Sequence, residues 1–301
     1  MSSVKKLIAV VGATGHQGGA VVRALQASGQ FKVRALTRNP AKHPQLADEV
    51  VLADLDRPDT LKAAFAGAYG VFLVTNAWEP GTDEVKQALA AVHAATDAGV
   101  QHFIWSTLPN VETISRGKLD VPHFTHKAKI DRIVKEAGFA HHTFVIAPFF
   151  YQNLLGAMAP QKQADGAVGW ALPLDPEQRV IHMGDITELG NIVVGAFAQP
   201  ELTGRGEYLP LVGDFLSFNE IIATLNRRGH KFSFKQVPKE LFAGWFPGAK
   251  DVAEMLAYFE AHTYLGADSR DAITLANKVA GRQPTKFVAW ARSNFAIPAA
   301  A

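Results

Sequence analysis

The sequence predicts an α/β protein built on a doubly wound parallel sheet, with a smaller α+β domain attached. A glycine-rich turn lies between an apolar strand and a helix near the start of the chain, within residues 6–25. Further apolar runs then alternate with helical patterns up to about residue 152, as successive βαβ units require. The 301 residues suffice for a large core of this kind and a smaller appendage.

The first strand and the turn after it predict a phosphate-binding cradle. Residues 7–11 form a continuous apolar run, which is typical of a central parallel strand buried on both faces. Gly12, Gly15 and Gly18 follow in a GxxGxxG arrangement, which permits a tight turn and close approach of a pyrophosphate to the helix. A purely structural turn is the alternative. The second strand begins one βα unit later, and this spacing favours a dinucleotide cradle.

Composition narrows the classes of partner. The formal net charge of +2 comes from mixed acids and bases, and no basic run predicts a nucleic-acid partner. The absence of cysteine excludes disulfides, thiolate zinc sites and thiol redox switching. We find no apolar run long enough for a signal peptide or a membrane span, so a cytoplasmic protein without a membrane partner is expected.

The end of the second strand, Lys32–Thr37, predicts which nucleotide is bound. An NAD-selective site favours an acidic residue here, because a carboxylate binds the ribose 2′-hydroxyl and repels a 2′-phosphate. The chain instead has Thr37, Arg38 and nearby Lys42. A guanidinium binds phosphate bidentately, so NADP(H) is favoured over NAD(H). Ordinary surface bases after a strand are the alternative.

Polar residues also follow the third and fourth predicted strands, at 50–53 and 70–74. Asp54 is a candidate acceptor for the adenine amino group, whereas a helix cap by Asp56 is an equally good interpretation of this segment. Thr75 and Asn76 end the fourth strand. Because ligands of a doubly wound sheet lie at the carboxyl ends of its strands, we expect both residues to line the ribose side of the cofactor.

The fifth strand and the helix after it carry the candidate catalytic residues. Ser106 ends the strand, where a hydroxyl can bind substrate or simply terminate the sheet. His123 and Lys127 are four residues apart and share one helical face. Lys127 is expected to hold the nicotinamide ribose, with a solvated lysine as the alternative. His123 and His126 lack an evident third ligand, so no metal site is predicted.

Aromatic residues follow the sixth predicted strand, at 143–147. Pro148 stops sheet pairing, and Phe149, Phe150 and Tyr151 come next, at the edge where a nicotinamide would lie. Core packing is the alternative for any one of the three. The pair His141 and His142, just before this strand, is expected in a loop.

Taken together, these motifs resemble the NmrA-like family of atypical short-chain dehydrogenases, and within it the HSCARG-type NADP(H) redox-sensor branch. The similarity covers nearly the whole chain. Its motifs are GATGHQGGAVVRAL, TRNP, GVFLVTNAW, VPHFTHKAKID, TFVIAPFFYQN, HMGDITELGNIV and PTKFVAWARSNF. The resemblance implies a Rossmann domain that binds NAD(P), with a smaller domain formed by several returns of the chain.

The resemblance also implies roles for individual residues. The usual Tyr-x-x-x-Lys pair is altered, because His123 stands where the tyrosine would be. A phenol beside the lysine is the standard proton donor, so ordinary carbonyl reduction is in doubt, although related reductases use the lysine alone. The resemblance implies Gly12, Thr14, Gly15, Gln17 and Gly18 at the pyrophosphate, Arg38 and Lys42 at the 2′-phosphate, and Thr75, Asn76 and Lys127 at the nicotinamide half. The complete predicted cofactor-binding set also includes His16, Asp54, Leu55, Phe149, Phe150 and Asn153.

Domain boundaries follow from the same pattern. Residues 1–152, with returns at about 178–200 and 214–240, are assigned to the Rossmann domain. Residues at about 153–177, 201–213 and 241–301 are assigned to the smaller domain that completes the cleft. A monomer or a dimer is expected.

Two functions fit these residues. One is a sensor or regulator whose surface for a protein partner depends on bound NADP(H), as the missing tyrosine indicates. The other is an NADPH-dependent reductase of a flat aromatic, quinone, azo or enone substrate, which would use Lys127, His123 and Ser106.

Overall fold

A computed structural model of the chain describes residues 4–296, which form thirteen strands and twelve α-helices. The strands are β1 (Leu7–Val10), β2 (Lys32–Thr37), β3 (Glu49–Leu52), β4 (Gly70–Leu73), β5 (His102–Thr107), β6 (His141–Ile146), β7 (Phe149–Phe150), β8 (Gln161–Lys162), β9 (Val168–Leu172), β10 (Ile181–Gly184), β11 (Arg205–Pro210), β12 (Asp214–Leu216) and β13 (Phe232–Gln236). The helices are α1 (His16–Ser28), α2 (Asp59–Phe65), α3 (Glu84–Asp97), α4 (Val111–Ile114), α5 (Pro122–Glu136), α6 (Leu189–Ala198), α7 (Pro200–Thr203), α8 (Phe218–Asn226), α9 (Lys239–Phe242), α10 (Ala249–His262), α11 (Arg270–Ala280) and α12 (Phe287–Asn294).

Seven of these strands form one parallel sheet in the order β11-β6-β5-β4-β1-β2-β3. The strand order runs in opposite directions on the two sides of the β1–β4 pair. In a sheet of this kind, a crevice opens at the carboxyl ends of the strands where the order reverses. The predicted doubly wound α/β fold of Rossmann type is therefore confirmed.

Helices cover both faces of the sheet, because its central strands are apolar on both sides. On one face α1, α6 and α11 bury Val21, Leu25, Ile192 and Val279 against the strands. Helices α2, α3 and α5 form a second core on the opposite face. Burial on both faces explains why β1 and β4 are continuous apolar runs rather than alternating ones.

A smaller lobe lies at the carboxyl edge of the sheet. It contains two three-stranded sheets, β12-β10-β7 and β13-β9-β8. Its core is rich in aromatic residues from α8, α10 and α12, including Phe218, Tyr258, Phe259 and Trp290.

Three parts of the predicted domain division differ from the strand pairing and helix packing of the structure. Residues 201–213 were assigned to the smaller domain, but β11 pairs with β6 at the edge of the large sheet. Within 214–240, which was assigned to the Rossmann domain, α8 and β13 contribute to the core of the smaller lobe. Within 241–301, α11 packs on α6 beneath the large sheet. These returns depend on strand pairing over long sequence distances, which no local pattern reveals. The rest of the division stays a prediction.

The pair His141 and His142 begins β6 rather than lying in a loop. Both residues are in register with β5, opposite His102 and Phe103. Polar side chains at the start of a strand resemble a loop in sequence, and the pairing decides between the two.

In residues 4–296, none of the helices has the length and apolar character needed to cross a membrane. The expected cytoplasmic location stays a prediction.

Candidate functional site

The turn between β1 and α1 depends on glycine at two positions for reasons internal to the fold. Gly12 has a φ of +69°, in the left-handed region that favours glycine. A Cβ on Gly18 would lie 2.2 Å from the Gly12 carbonyl oxygen, so a side chain there collides with the backbone of the turn. Gly12 and Gly18 therefore shape the loop itself.

Gly15 differs from the other two glycines, because its Cβ position is open. The nearest atom to a Cβ there would be the Gly12 carbonyl oxygen at 3.4 Å, which is an ordinary contact. Gly15 is the N-cap of α1, its φ is −89°, and no acidic side chain occupies the first turn of the helix. The first backbone N–H groups of a helix lack intrahelical partners and attract anions. The backbone conformation at Gly15 does not require glycine, but the absence of a side chain leaves room for a ligand.

A cleft of about 540 Å³ opens above this turn, at the carboxyl ends of β1 to β4. This volume is within the range of small-molecule and cofactor sites. The predicted residues that line the cleft are Gly12, Thr14, Gly15, His16, Gln17, Gly18, Arg38, Asp54, Leu55, Thr75, Asn76 and Phe150.

The adenosine end of the cleft is formed by the ends of β2 and β3. Arg38 Nη1 donates a hydrogen bond to Glu79, and the two side chains form an ion pair. Asp54 Oδ1 accepts from the Asp56 N–H at 3.1 Å and so closes the turn after β3. The alternative of a cap by Asp56 is not seen, since Pro58 precedes α2 and no side chain caps the helix.

The opposite end of the cleft contains a buried network centred on Thr75. Lys127 Nζ donates to the Thr75 carbonyl and hydroxyl oxygens, both at 2.9 Å. The same ammonium lies 2.7 Å from Glu84 Oε1, which also accepts from the Thr75 hydroxyl at 2.6 Å. All three N–H groups of Lys127 thus have partners inside the protein.

Burial has two consequences for Lys127. It lowers the pKa of the ammonium, while the charge of Glu84 and its hydrogen bond act in the opposite direction. Lys127 also does not line the cleft and reaches its edge only through Thr75. The alternative of a solvated lysine is wrong, because the residue is only 8% exposed.

His123, one turn before Lys127 on α5, points towards the smaller lobe. Its Nδ1 lies 2.6 Å from Asp251 Oδ2 on α10, and the ring of Trp78 packs against it at 4.9 Å between centroids. Trp78 is joined to the cleft through its backbone N–H, which donates to Asn76 Oδ1. His123 therefore approaches the cleft behind the Trp78 ring.

Besides Lys127 and His123, four further predicted residues do not line the cleft. Ser106 is buried and donates to Gln17 Oε1 at 2.6 Å, so its hydroxyl orients the glycine loop. Lys42 is exposed on the short 3₁₀ helix Pro40–Lys42. Phe149 packs in the core of the smaller lobe, as its alternative interpretation held. Asn153 lies half-buried in the 3₁₀ segment Tyr151–Leu155, away from the cleft lining.

Comparison with known proteins agrees with the topology of the large sheet. The model of the NmrA-like family matches residues 4–290, nearly the whole described chain. The chain belongs to the NmrA-like family. The more specific assignment to the HSCARG-type branch is not tested by this match.

Two curated relatives of this NmrA-like protein have similar lengths. An NmrA-like family domain-containing protein of Dictyostelium discoideum is 28% identical over 271 residues, covering 86% of this chain and 89% of the relative. The NmrA-like family domain-containing oxidoreductase hkm9 of Aspergillus hancockii is 31% identical over 256 residues, covering 78% of this chain and 76% of the relative.

Among solved structures, NmrA, a negative transcriptional regulator, has been crystallised with NADP and also with NAD. It is 23% identical to this NmrA-like chain. The two structures superpose with a TM-score of 0.80, and the superposition covers 97% of this chain and 95% of NmrA. At this identity the similarity shows the fold alone.

Sequence reasoning missed three carboxylates of the site in this NmrA-like protein. Glu79 pairs with Arg38, Glu84 pairs with Lys127, and Asp251 binds His123. Glu84 carried a weak signal, since it follows the N-cap Asp83 in the first turn of α3. Glu79 and Asp251 carried none, because their partners are 41 and 128 residues away.

Proposed function

We propose that this protein binds NADP(H) in the cleft and acts as a cofactor-dependent redox sensor or regulator of the HSCARG-type branch. The complete internal pairing of Lys127 carries the proposal. Short-chain dehydrogenases use the corresponding lysine at the nicotinamide ribose, whereas here Thr75 and Glu84 engage all three of its N–H groups. The phosphate cradle, in contrast, is open.

The cleft fits a dinucleotide in its shape and its donors. Gly15 leaves space at the N-terminus of α1, and Arg38 presents a guanidinium at the end of β2. The complexes of NmrA with NADP and NAD support the same ligand class. A bound nicotinamide dinucleotide supplies hydride-transfer chemistry, and the residues of this chain bind and orient it.

Sensing requires two conformations that bind the cofactor with different affinities, because a ligand of equal affinity for both shifts nothing. Residues 78–82 and 108–121 are the segments we propose as mobile. The first lies between the cleft and His123, through Glu79 and Trp78. If these segments form part of a surface that binds a protein partner, the affinity for that partner would depend on whether the cofactor is bound.

Titration of NADPH against Gly15→Val tests the cradle. The branched side chain would fill the space proposed for the pyrophosphate, while the fold has room for a Cβ at this position. We expect a folded protein, by circular dichroism and thermal melting, that has lost tight NADPH binding. Tight binding in a folded Gly15→Val protein would place the pyrophosphate elsewhere.

Titration of Arg38→Ala with both nucleotides tests the 2′-phosphate assignment. A charge-assisted hydrogen bond is worth about 1.5–3 kcal/mol, so NADPH binding should weaken by that amount while NADH binding hardly changes. Equal losses for the two nucleotides would show that Arg38 does not contact the 2′-phosphate.

A reductase is the second candidate function, and the His123–Asp251 pair favours it. With Nδ1 engaged by Asp251, the Nε2 atom of His123 remains for proton transfer, the role of the missing tyrosine. The relative hkm9 is named as an oxidoreductase, which supports the same alternative. NADPH oxidation measured with a panel of quinones, azo compounds and enones separates the two functions. Turnover of several per second that His123→Phe abolishes would favour the reductase.

A further inference from the structure

The adenosine end of the cleft is more acidic than its sequence motif indicates. Among the described residues that line the cleft, Arg38 is the single lysine or arginine, while Asp54, Asp56 and Glu79 are acidic. Lys42, the second cation predicted to bind a 2′-phosphate, lies outside the lining. A 2′-phosphate would therefore meet one guanidinium among three carboxylates.

Glu79 is the carboxylate in direct contact with that guanidinium. Arg38 Nη1 donates to Glu79 Oε1, and this contact is the largest cause of the raised pKa of Arg38. Asp54 and Asp56 add smaller electrostatic contributions of the same sign. The pair closes across the mouth of the cleft, since Glu79 comes from the loop between β4 and α3.

Backbone hydrogen bonds close the turn that contains Glu79. The Glu79 N–H donates to the Asn76 carbonyl at 3.3 Å, and the Glu79 carbonyl accepts from the Thr82 N–H at 3.2 Å. The preceding residue, Trp78, packs on His123. These contacts define the turn from which the Glu79 side chain reaches Arg38.

A 2′-phosphate and the Glu79 carboxylate compete for the same guanidinium. The Arg38 side chain is 64% exposed and that of Glu79 is 41% exposed, so solvent weakens the ion pair and a phosphate can displace it. Displacement nevertheless uses part of the affinity gained from the phosphate. A dinucleotide without the 2′-phosphate leaves the ion pair intact, so its binding affinity is not reduced by the competition.

We propose that Glu79 is a specificity-determining residue. Its carboxylate pairs with the Arg38 guanidinium and so reduces the difference in affinity between NADP(H) and NAD(H), with the result that the cleft also accepts NAD(H). The inference rests on the proposed binding of a dinucleotide with its adenosine end at Arg38. It accounts for a site in which an arginine typical of NADP-binding proteins follows β2, while an acidic residue comes from the loop between β4 and α3.

Isothermal titration of NADPH and NADH against the wild type and Glu79→Gln tests the proposal. The NADPH dissociation constant should fall about fivefold, the effect of removing a competitor worth about 1 kcal/mol, while that for NADH stays within about twofold. Adenosine 2′,5′-bisphosphate should gain the same factor over adenosine 5′-monophosphate. Glu136→Gln is the matched control, because it also removes the acid of an exposed Arg–Glu pair, that with Arg132, away from the cleft.

The double variant Arg38→Ala/Glu79→Gln distinguishes competition from general repulsion. If Glu79 acts by occupying Arg38, its removal should improve NADPH binding less than about twofold in the Arg38→Ala background. A full fivefold gain in that background would overturn the proposal in favour of simple repulsion. Unchanged NADPH binding in Glu79→Gln alone would also overturn it and leave the proposed function standing. Equal losses of NADH and NADPH in Arg38→Ala would instead refute the binding mode on which both depend.

Discussion

Lys127 is the residue at which the structure departs furthest from the sequence-based expectation. Its ammonium and the Glu84 carboxylate form an ion pair with both side chains at most 10% exposed. A buried pair contributes little net stability, but removing one partner leaves an uncompensated charge. The first effect of changing Lys127 should therefore be on folding.

We expect Lys127→Met to lower the free energy of unfolding by about 3 kcal/mol or more, measured by urea denaturation. Glu84→Gln in the same chain should restore part of the loss, since the remaining side chain is then neutral. A Lys127→Met protein of unchanged stability that no longer binds NADPH would contradict this expectation. That result would instead support the role predicted for Lys127 from the sequence, which is to bind the nicotinamide ribose.

The loop between β4 and α3 connects the two ends of the cleft. Glu79 contacts Arg38 at the adenosine end, and Trp78 contacts His123 at the other. A ligand that moves Glu79 therefore acts on a segment that also packs against α5. This connection is the physical basis for a sensor in the proposed function.

Hydrogen exchange followed by mass spectrometry tests the loop. Addition of NADPH should slow exchange in residues 78–82 and 108–121, because ordering a segment against a ligand protects its amides. Helix α11, on the far side of the large sheet, serves as the internal reference and should not change. Identical exchange in both segments with and without NADPH would remove the mobile element that a sensor needs.

Helices α5 and α10 are joined by the hydrogen bond between His123 and Asp251. Asp251→Asn should lower the free energy of unfolding by about 1.5–3 kcal/mol, the usual contribution of a hydrogen bond to a charged group. Glu136→Gln, on the exposed end of α5, is the control and should have little effect. A loss of NADPH turnover in Asp251→Asn without any loss of stability would assign the pair to catalysis instead.

At the scale of the whole molecule, acid stability depends on buried histidines. His102, the first residue of β5, is fully buried, and its Nε2 lies 2.9 Å from the Thr143 hydroxyl. Because that hydroxyl donates to the Thr203 carbonyl, Nε2 must be the donor to it. Burial lowers the pKa of His102 from 6.5 to about 3, and that of His182 to about 4.

The sign of the pH effect follows from proton binding. Between pH 6.5 and about 3, the unfolded chain protonates His102 and the folded chain does not, so stability falls as the pH falls. Burial raises the pKa of Asp131 to about 6, which opposes this trend between about pH 6 and 3.8. The contribution of His102 must therefore be isolated by a variant.

His102→Gln keeps a donor near the Nε2 position but cannot be protonated. From pH 7.5 to 5, the wild type should lose about 2 kcal/mol more stability than the variant, at about 1.4 kcal/mol for each pH unit below 6.5. Urea denaturation at both pH values measures the difference. Equal losses in the two proteins would show that His102 is protonated to the same extent in the folded and unfolded states.

The sequence by itself determined the sheet, the glycine turn and the location of the cleft. Each of these depends on residues close together in the chain: the apolar run of β1, the spacing of Gly12, Gly15 and Gly18, and the polar residues that end β2 and β4. Local spacing is sufficient here, because a buried parallel strand must be apolar and its carboxyl end must meet the crevice.

Only the tertiary structure decided which charges meet in that cleft. The sequence predicted that Arg38 and Lys127 bind the cofactor, but Glu79 and Glu84 form ion pairs with them from a neighbouring loop and helix. Asp251 reaches His123 from the smaller lobe in the same way. The energy of an ion pair depends on the separation and burial of its two groups, and the folded chain sets both across long sequence distances.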